Sequence, residues 1–182
     1  AEKARAASRL AKVQAESGAA SAAALDADCL DTQAWSAPDW ANPGSTELLE
    51  RGVQPVNKLL VLRYGEGPAG KLAFLCAGKR DLGERHALQV TIRNPEGRSV
   101  RVALALTLGE SDFHEGPALE VGPRVSKELR FDLDAVNWKC ARTDWKFSTP
   151  LENRGEITAV FFMLYSENPR GRLLLDSIRF TP

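Results

Sequence analysis

The 182-residue sequence lacks an excess of either charge: 24 Lys and Arg stand against 24 Asp and Glu. A balanced chain has no basic footprint for broad phosphate neutralisation, so nucleic acid is not an expected partner. No apolar run approaches the roughly eighteen residues of a membrane-crossing helix, so no transmembrane segment is expected. Cysteine and histidine are scarce. Cys29, Cys76 and Cys140 show no CxxC spacing, and neither His86 nor His114 stands near a cysteine in the sequence. A zinc site of the usual spacing is therefore not expected. One disulfide with a free thiol and three buried thiols both fit three cysteines. The GxSxG elbow and the Gly-rich phosphate loops are missing too, and Cys76 and Cys140 lie in apolar or aromatic stretches where a structural thiol is the default.

What is present begins with an Ala-rich stretch over residues 1–25, in which Leu10 and Val13 are the sizeable apolar residues before Leu25. Its residues favour a helix, but so thin a stripe buries little surface, which predicts a loosely docked helical or disordered extension. It does not read as a signal peptide, because it is charged from Glu2 onward; the chain reads as one whose signal has been removed. Residues 25–57 mix acids, Trp35, Trp40, Pro and Gly. They read as an irregular lead-in with a short strand around Cys29–Trp35 and a helical turn over Thr46–Arg51.

Short strand-like runs follow. "ALQVTIR" alternates, "NPEG" is a turn with Pro and Gly placed to set its dihedrals, and "SVRVALALTL" lines Val100, Val102, Leu104, Leu106 and Leu108 along one face. Its other face, Arg101, Ala103, Ala105 and Thr107, is small enough to leave a flat or concave surface. "ITAVFFMLY" is apolar on both faces, which predicts a central strand covered twice. Runs at this spacing without amphipathic helices predict an all-β antiparallel sandwich over residues 26–182.

"LQVTIRNPEGRSVRVALAL", "LEVGPRVSKELRFDL", "ITAVFFMLY" and "GRLLLDSIRF", in that order, resemble the jelly-roll carbohydrate-binding modules of the galactose-binding-like fold. The resemblance covers residues 58–182. It implies a jelly-roll sandwich and non-catalytic polysaccharide binding in an extracellular or periplasmic setting, beside a linked catalytic domain. The competing expectation is a structural or protein-interaction sandwich, because one fold serves many functions.

In the last strand, period two places Asp176 on one face with Leu174, Ile178 and Phe180. A carboxylate there needs partners. The resemblance implies a structural calcium on Asp176; the lead-in offers Asp26, Asp28 and Asp31 as its partner, and Asp28 is the one expected. Backbone N–H bonds, an Arg partner, or a bulge that turns Asp176 to water answer the same need.

Sugar sites stack pyranose rings on exposed aromatics and orient them with a few polar groups. "NWKCARTDWKF" is the densest candidate, with Trp138, Trp145 and Arg142, and at least one of its Trp residues is expected in the core. "GESDFHEG" reads as a polar solvated loop that adds Phe113, with Glu110, Asp112 and Glu115 as the competing cation or sugar contacts. Trp138, Trp145, Phe113 and Arg142 are therefore the expected ligand contacts, while Trp35 and Trp40 are expected to pin the lead-in to the sandwich. A glycosidase would need two carboxyls across a cleft, and three acids on one short loop do not supply that.

Overall fold

The computed structural model describes residues 35–51 and 57–182. The Ala-rich extension, Asp28 and residues 29–34 of the expected first strand lie outside the described residues. Eleven strands follow in order among them: β1 (Trp35–Ser36), β2 (Gly44–Arg51), β3 (Asn57–Tyr64), β4 (Leu72–Arg80), β5 (Ala87–Arg93), β6 (Val100–Leu108), β7 (Asp112–Glu115), β8 (Leu119–Val121), β9 (Ser126–Asp132), β10 (Ile157–Ser166) and β11 (Gly171–Thr181). All pairings are antiparallel.

One sheet runs β1-β4-β10-β6-β7, with β8 also on β6, and the other runs β2-β3-β11-β5-β9. Strands distant in sequence lie side by side, and the two sheets share one apolar interior, as a jelly-roll sandwich requires. Leu104, Leu106, Val160, Phe162 and Phe74 of the first sheet meet Leu60, Leu88, Val90, Leu129 and Leu175 of the second. The alternation in β6 is realised as expected, with Val102, Leu104 and Leu106 fully buried. Trp35 pins the lead-in by stacking on Phe162, with ring centroids 5.3 Å apart and planes 12° from parallel.

Three local expectations are corrected. Thr46–Arg51 is not a helical turn. It belongs to β2, whose backbone pairs with the whole length of β3, and Arg63 of β3 holds Glu47 at 2.6 Å. Pairing along a strand outweighs the modest helix preference of "STELLE". Residues 112–115 are not a solvated loop. They form β7 against β6 after a turn in which Gly109 adopts φ +58°, a left-handed conformation suited to glycine.

β11 also departs from the plain alternation of its sequence. Its register slips between Leu175, opposite Ile92, and Ser177, opposite Thr91, so Asp176 is the extra residue of a bulge. The slip changes the parity: Leu173 and Leu175 point inward before it, Ile178 and Phe180 after it. Asp176 does not share their face and is exposed. Of the readings open for this carboxylate, the bulge that turns it to water is the one observed.

The Asn-Pro turn is locked by Asn94, which is fully buried. Its Nδ2 donates to the carbonyls of Arg98 (2.8 Å), Gly122 (3.0 Å) and Val121 (3.2 Å), and its Oδ1 accepts from Glu96 N (3.0 Å). One side chain thus ties the β5–β6 turn to the β8–β9 turn. Removing it strands several backbone groups, some in the interior, so Asn94→Ala is expected to cost about 2–3 kcal/mol. Urea unfolding measures it; a loss under about 0.5 kcal/mol, the scale of an ordinary surface change, contradicts the locking role.

Candidate functional site

The outward face of the first sheet carries a second apolar layer. Cross-strand registers put Leu75, Phe161, Ala105 and Glu115 in one row, and Ala77, Ala159, Thr107 and Phe113 in the next. Ala73, Ala103 and Met163 make a third row. Side chains of one row point the same way, so β10 offers Ala159, Phe161 and Met163 outward while Val160, Phe162 and Leu164 fill the interior. This is the double covering that "ITAVFFMLY" predicts. Ala103 and Ala105 are both fully buried and keep the floor low.

Aromatic rings stand over this floor as one connected cluster. Phe113 meets Phe161 edge-on at 5.3 Å, Trp40 lies 6.0 Å from Phe161 and 6.3 Å from Phe113, and Trp145 lies 6.4 Å from Phe113. Trp40 is 43% exposed and Trp145 52%. Between them opens a groove of about 580 Å³, bordered also by Lys71, Glu115, Lys139 and Tyr165.

Each rim residue has a local cause. Trp40 sits in a tight turn closed by Ala41 N to Pro38 O (2.9 Å), and the next residue anchors it: Asn42 N donates to Lys71 O at 2.7 Å, and Asn42 Oδ1 accepts from Gly70 N at 3.1 Å. Trp145 rides on the excursion between Trp138 and Thr149, whose ends pair through Trp138 N to Thr149 O (3.0 Å) and Thr149 N to Trp138 O (3.1 Å). Inside it, Asp144 and Trp145 both take left-handed conformations, at φ 53° and 58°. Two such residues in succession, neither of them glycine, are uncommon and cost roughly 1–2 kcal/mol each. They reverse the chain so that the Trp145 ring reaches Phe113. Thr143 holds the reversal, its Oγ1 accepting from Cys140 N (3.1 Å) and lying 2.8 Å from Lys146 O.

The polar corner of the groove is built on Glu115. Backbone bonds between Glu115 and Lys139, both at 2.9 Å, set these residues opposite each other on the outward face. Lys139 Nζ therefore reaches Glu115 Oε1 at 3.2 Å, and the Tyr165 hydroxyl donates to the same oxygen. Arg101 lies 5.6 Å above the Tyr165 ring, and Lys139 5.0 Å above Phe147. Glu115 is buried, with a cation and a phenol as its partners, so it is held as an oriented acceptor at the groove wall.

The same alternation explains where the expected contacts went. Trp138 and Cys140 flank Lys139 and point inward. Trp138 is 1% exposed, against a Gly116 where a Cβ would come within 3.2 Å of its ring, so it cannot offer a face to a ligand. Trp145 and Phe113 are brought together at the groove. Arg142 is not: it points to the other side of β7, with Nη2 3.3 Å from Asp112 Oδ2 and 3.4 Å from His114 Nε2. Trp40, Tyr165 and Lys139 were not expected here, and in the sequence Glu115 reads first as part of a solvated loop. The two-sided apolar pattern of β10 was the available signal that something must cover its outer face.

Comparison with known proteins bears out the resemblance as a fold. No protein-family model matches the chain, and no curated protein does. Among solved structures, the chain is similar to a carbohydrate-binding module of family 28 specific for non-crystalline cellulose, at 11% identity and TM-score 0.58, over 82% of this chain and 88% of that one. It is similar to the family 11 module of Clostridium thermocellum in complex with a β-1,3-1,4-mixed-linked tetrasaccharide, at 11% identity and TM-score 0.56, over 83% and 90%. An exo-β-agarase matches at 12% identity and TM-score 0.62 over 84% of this chain, which spans 24% of the agarase. The chain shares the jelly-roll fold of these modules.

Burial, the hydrogen bond to Glu115 and the negative charge of Glu115, in that order, raise the Tyr165 phenol well above its usual range, with Arg101 opposing. Burial raises Tyr64 as well. Both phenols are therefore neutral far past pH 7, and Tyr165 acts as a donor to Glu115. Alkaline difference absorbance of Tyr64→Phe, which leaves Tyr165 as the one described tyrosine, should show no ionisation near the usual value of about 10. Glu115→Gln should lower the Tyr165 midpoint; Tyr165 titrating normally contradicts the corner as described.

Proposed function

We propose that the chain is a non-catalytic polysaccharide-binding module whose groove on the outer face of the first sheet receives a β-linked glycan. The observation that carries this reading is the groove itself: Leu72, Phe113 and Met163 line it between two half-exposed indoles, with Glu115, Lys139 and Tyr165 at its polar corner. Aromatic faces cover the apolar side of a pyranose, and the oriented Glu115–Lys139 pair meets its hydroxyls. The β-linkage is suggested by the mixed-linked tetrasaccharide bound to one structural neighbour. Among the described residues Glu115 is the one carboxylate lining this groove, and a standard glycosidase uses a pair of them. The proposed setting is extracellular or periplasmic, beside a polysaccharide-acting catalytic domain, in the manner of the agarase of which this fold covers a part.

Affinity electrophoresis against mixed-linked β-glucan, agarose and non-crystalline cellulose tests the reading. At least one polymer should retard the protein, and Trp145→Ala or Trp40→Ala should weaken binding at least ~10-fold, about 1.4 kcal/mol. Both side chains are exposed, so folding should survive either change. No retardation by any polymer, or variants that bind as the parent does, would favour a protein-interaction sandwich instead.

A stabilising calcium on Asp176 and Asp28 is a separate proposal. Calcium takes six to eight oxygens; Asp176 supplies one exposed carboxylate and Asp28 lies outside the described residues, so the described residues do not make that site alone. A calcium-selective chelator should lower Tm clearly if the ion is there, and an unchanged melt overturns it.

A further inference from the structure

Behind the groove wall, three metal-ligating side chains of different chemistry converge. Asp112, His114 and Cys140 place a carboxylate oxygen, a ring nitrogen and a sulfur within 4.8 Å of one another. The cause is strand parity. Asp112 and His114 lie two apart on β7 and share its inward side, and the bridge between Glu115 and Lys139 brings Cys140 to that same side. His114 and Cys140 are both fully buried, while Asp112 is exposed at the mouth. In the sequence the histidine and cysteine stand 26 positions apart, which is why spacing alone excludes a zinc motif.

We propose that these three residues form a site for a divalent transition-metal cation of zinc's class. A thiolate, an imidazole and a carboxylate are the donor set such ions take, whereas calcium and magnesium require oxygen throughout. Three protein donors leave a fourth tetrahedral position for water. Donor atoms around zinc stand about 3.5 Å apart, so the present spacing needs closing by about an ångström. Asp112, at the exposed end, has the freedom to do this.

A second observation points to a cation. The Arg142 guanidinium lies against two of the three donor residues, 3.3 Å from Asp112 Oδ2 and 3.4 Å from His114 Nε2. An arginine can only donate, so this ring nitrogen presents its lone pair, as a metal would require. Arg142 is 59% exposed at its side chain and fills the place of a positive charge without being fixed by packing. A metal ion would displace it.

The placement also suggests a consequence. Phe113 lies between Asp112 and His114, and Trp145 follows Cys140 by five residues on the same excursion. A metal joining β7 to that excursion would fix the 6.4 Å contact between the two rings. That consequence rests on the polysaccharide reading; the metal site does not.

Reduced full-length protein titrated with Co2+, without any sugar, tests the site. One equivalent should give a thiolate-to-cobalt charge-transfer band with tetrahedral d–d bands, and Zn2+ should bleach both. Cys140→Ser should abolish the charge-transfer band, Asp112→Asn should weaken binding at least 10-fold, and Arg142→Ala should tighten it several-fold. Asp112 and Arg142 are exposed, so these two variants keep the test valid should the buried Cys140→Ser misfold. Absence of the band in the folded protein, its persistence in folded Cys140→Ser, or affinities unchanged in Asp112→Asn and Arg142→Ala overturn the proposal. Loss of polysaccharide binding leaves this result untouched.

Discussion

The structure depends on one constraint: β10 is apolar on both faces, so it must be covered twice. On the inward side Val160, Phe162 and Leu164 meet the second sheet and drive the sandwich together. On the outward side Ala159, Phe161 and Met163 would form a bare patch without the cover that Trp40 and Phe113 supply. Burying the inward set is ordinary core formation, at about 25 cal/mol for each Å² removed from water. The outward set is covered only in part, and the incomplete cover is what leaves a groove.

That incompleteness follows from side-chain size. Beside β10, β6 offers Ala103, Ala105 and Thr107, which bring no bulk of their own above the sheet. Small residues there let rings from distant segments pack down onto the sheet. Those rings are mounted on short, hydrogen-bonded turns, one held by Asn42 and the other by Thr143. The left-handed backbone at Asp144 and Trp145 carries a local conformational cost that the hydrogen bonds of Thr143 help offset. Fold and proposed function meet on this face, because the surface that needs covering is also the one proposed to take the ligand.

Much of this was legible in the sequence, and the failures have physical reasons. The alternation of β6 and the double apolarity of β10 survive in the structure because side-chain period two is fixed by backbone geometry. The bulge at Asp176 was illegible: one extra residue inverts the parity that the pattern assumes. "DFHE" was misread because polarity suggested solvent, whereas pairing with β6 buries His114 and Glu115 alike. Trp138 and Trp145 could not be separated by composition, since their opposite fates follow from the alternation set where Lys139 meets Glu115. Trp40 packs on Phe161 as the pinning reading expects, and the three-dimensional position of its turn makes it a rim residue as well.

The central claim is that the partly covered outer face of β10 is where ligand binds. Hydroxyl-radical footprinting read by mass spectrometry, with and without a retarding polysaccharide, tests this directly. The account predicts fast oxidation of Trp40 and Trp145 in the free protein, slow oxidation of Trp35 and Trp138, and protection of the two fast residues when the polymer is bound. Binding that leaves Trp40 and Trp145 as reactive as before, or that protects residues on the outer face of the opposite sheet, would contradict it.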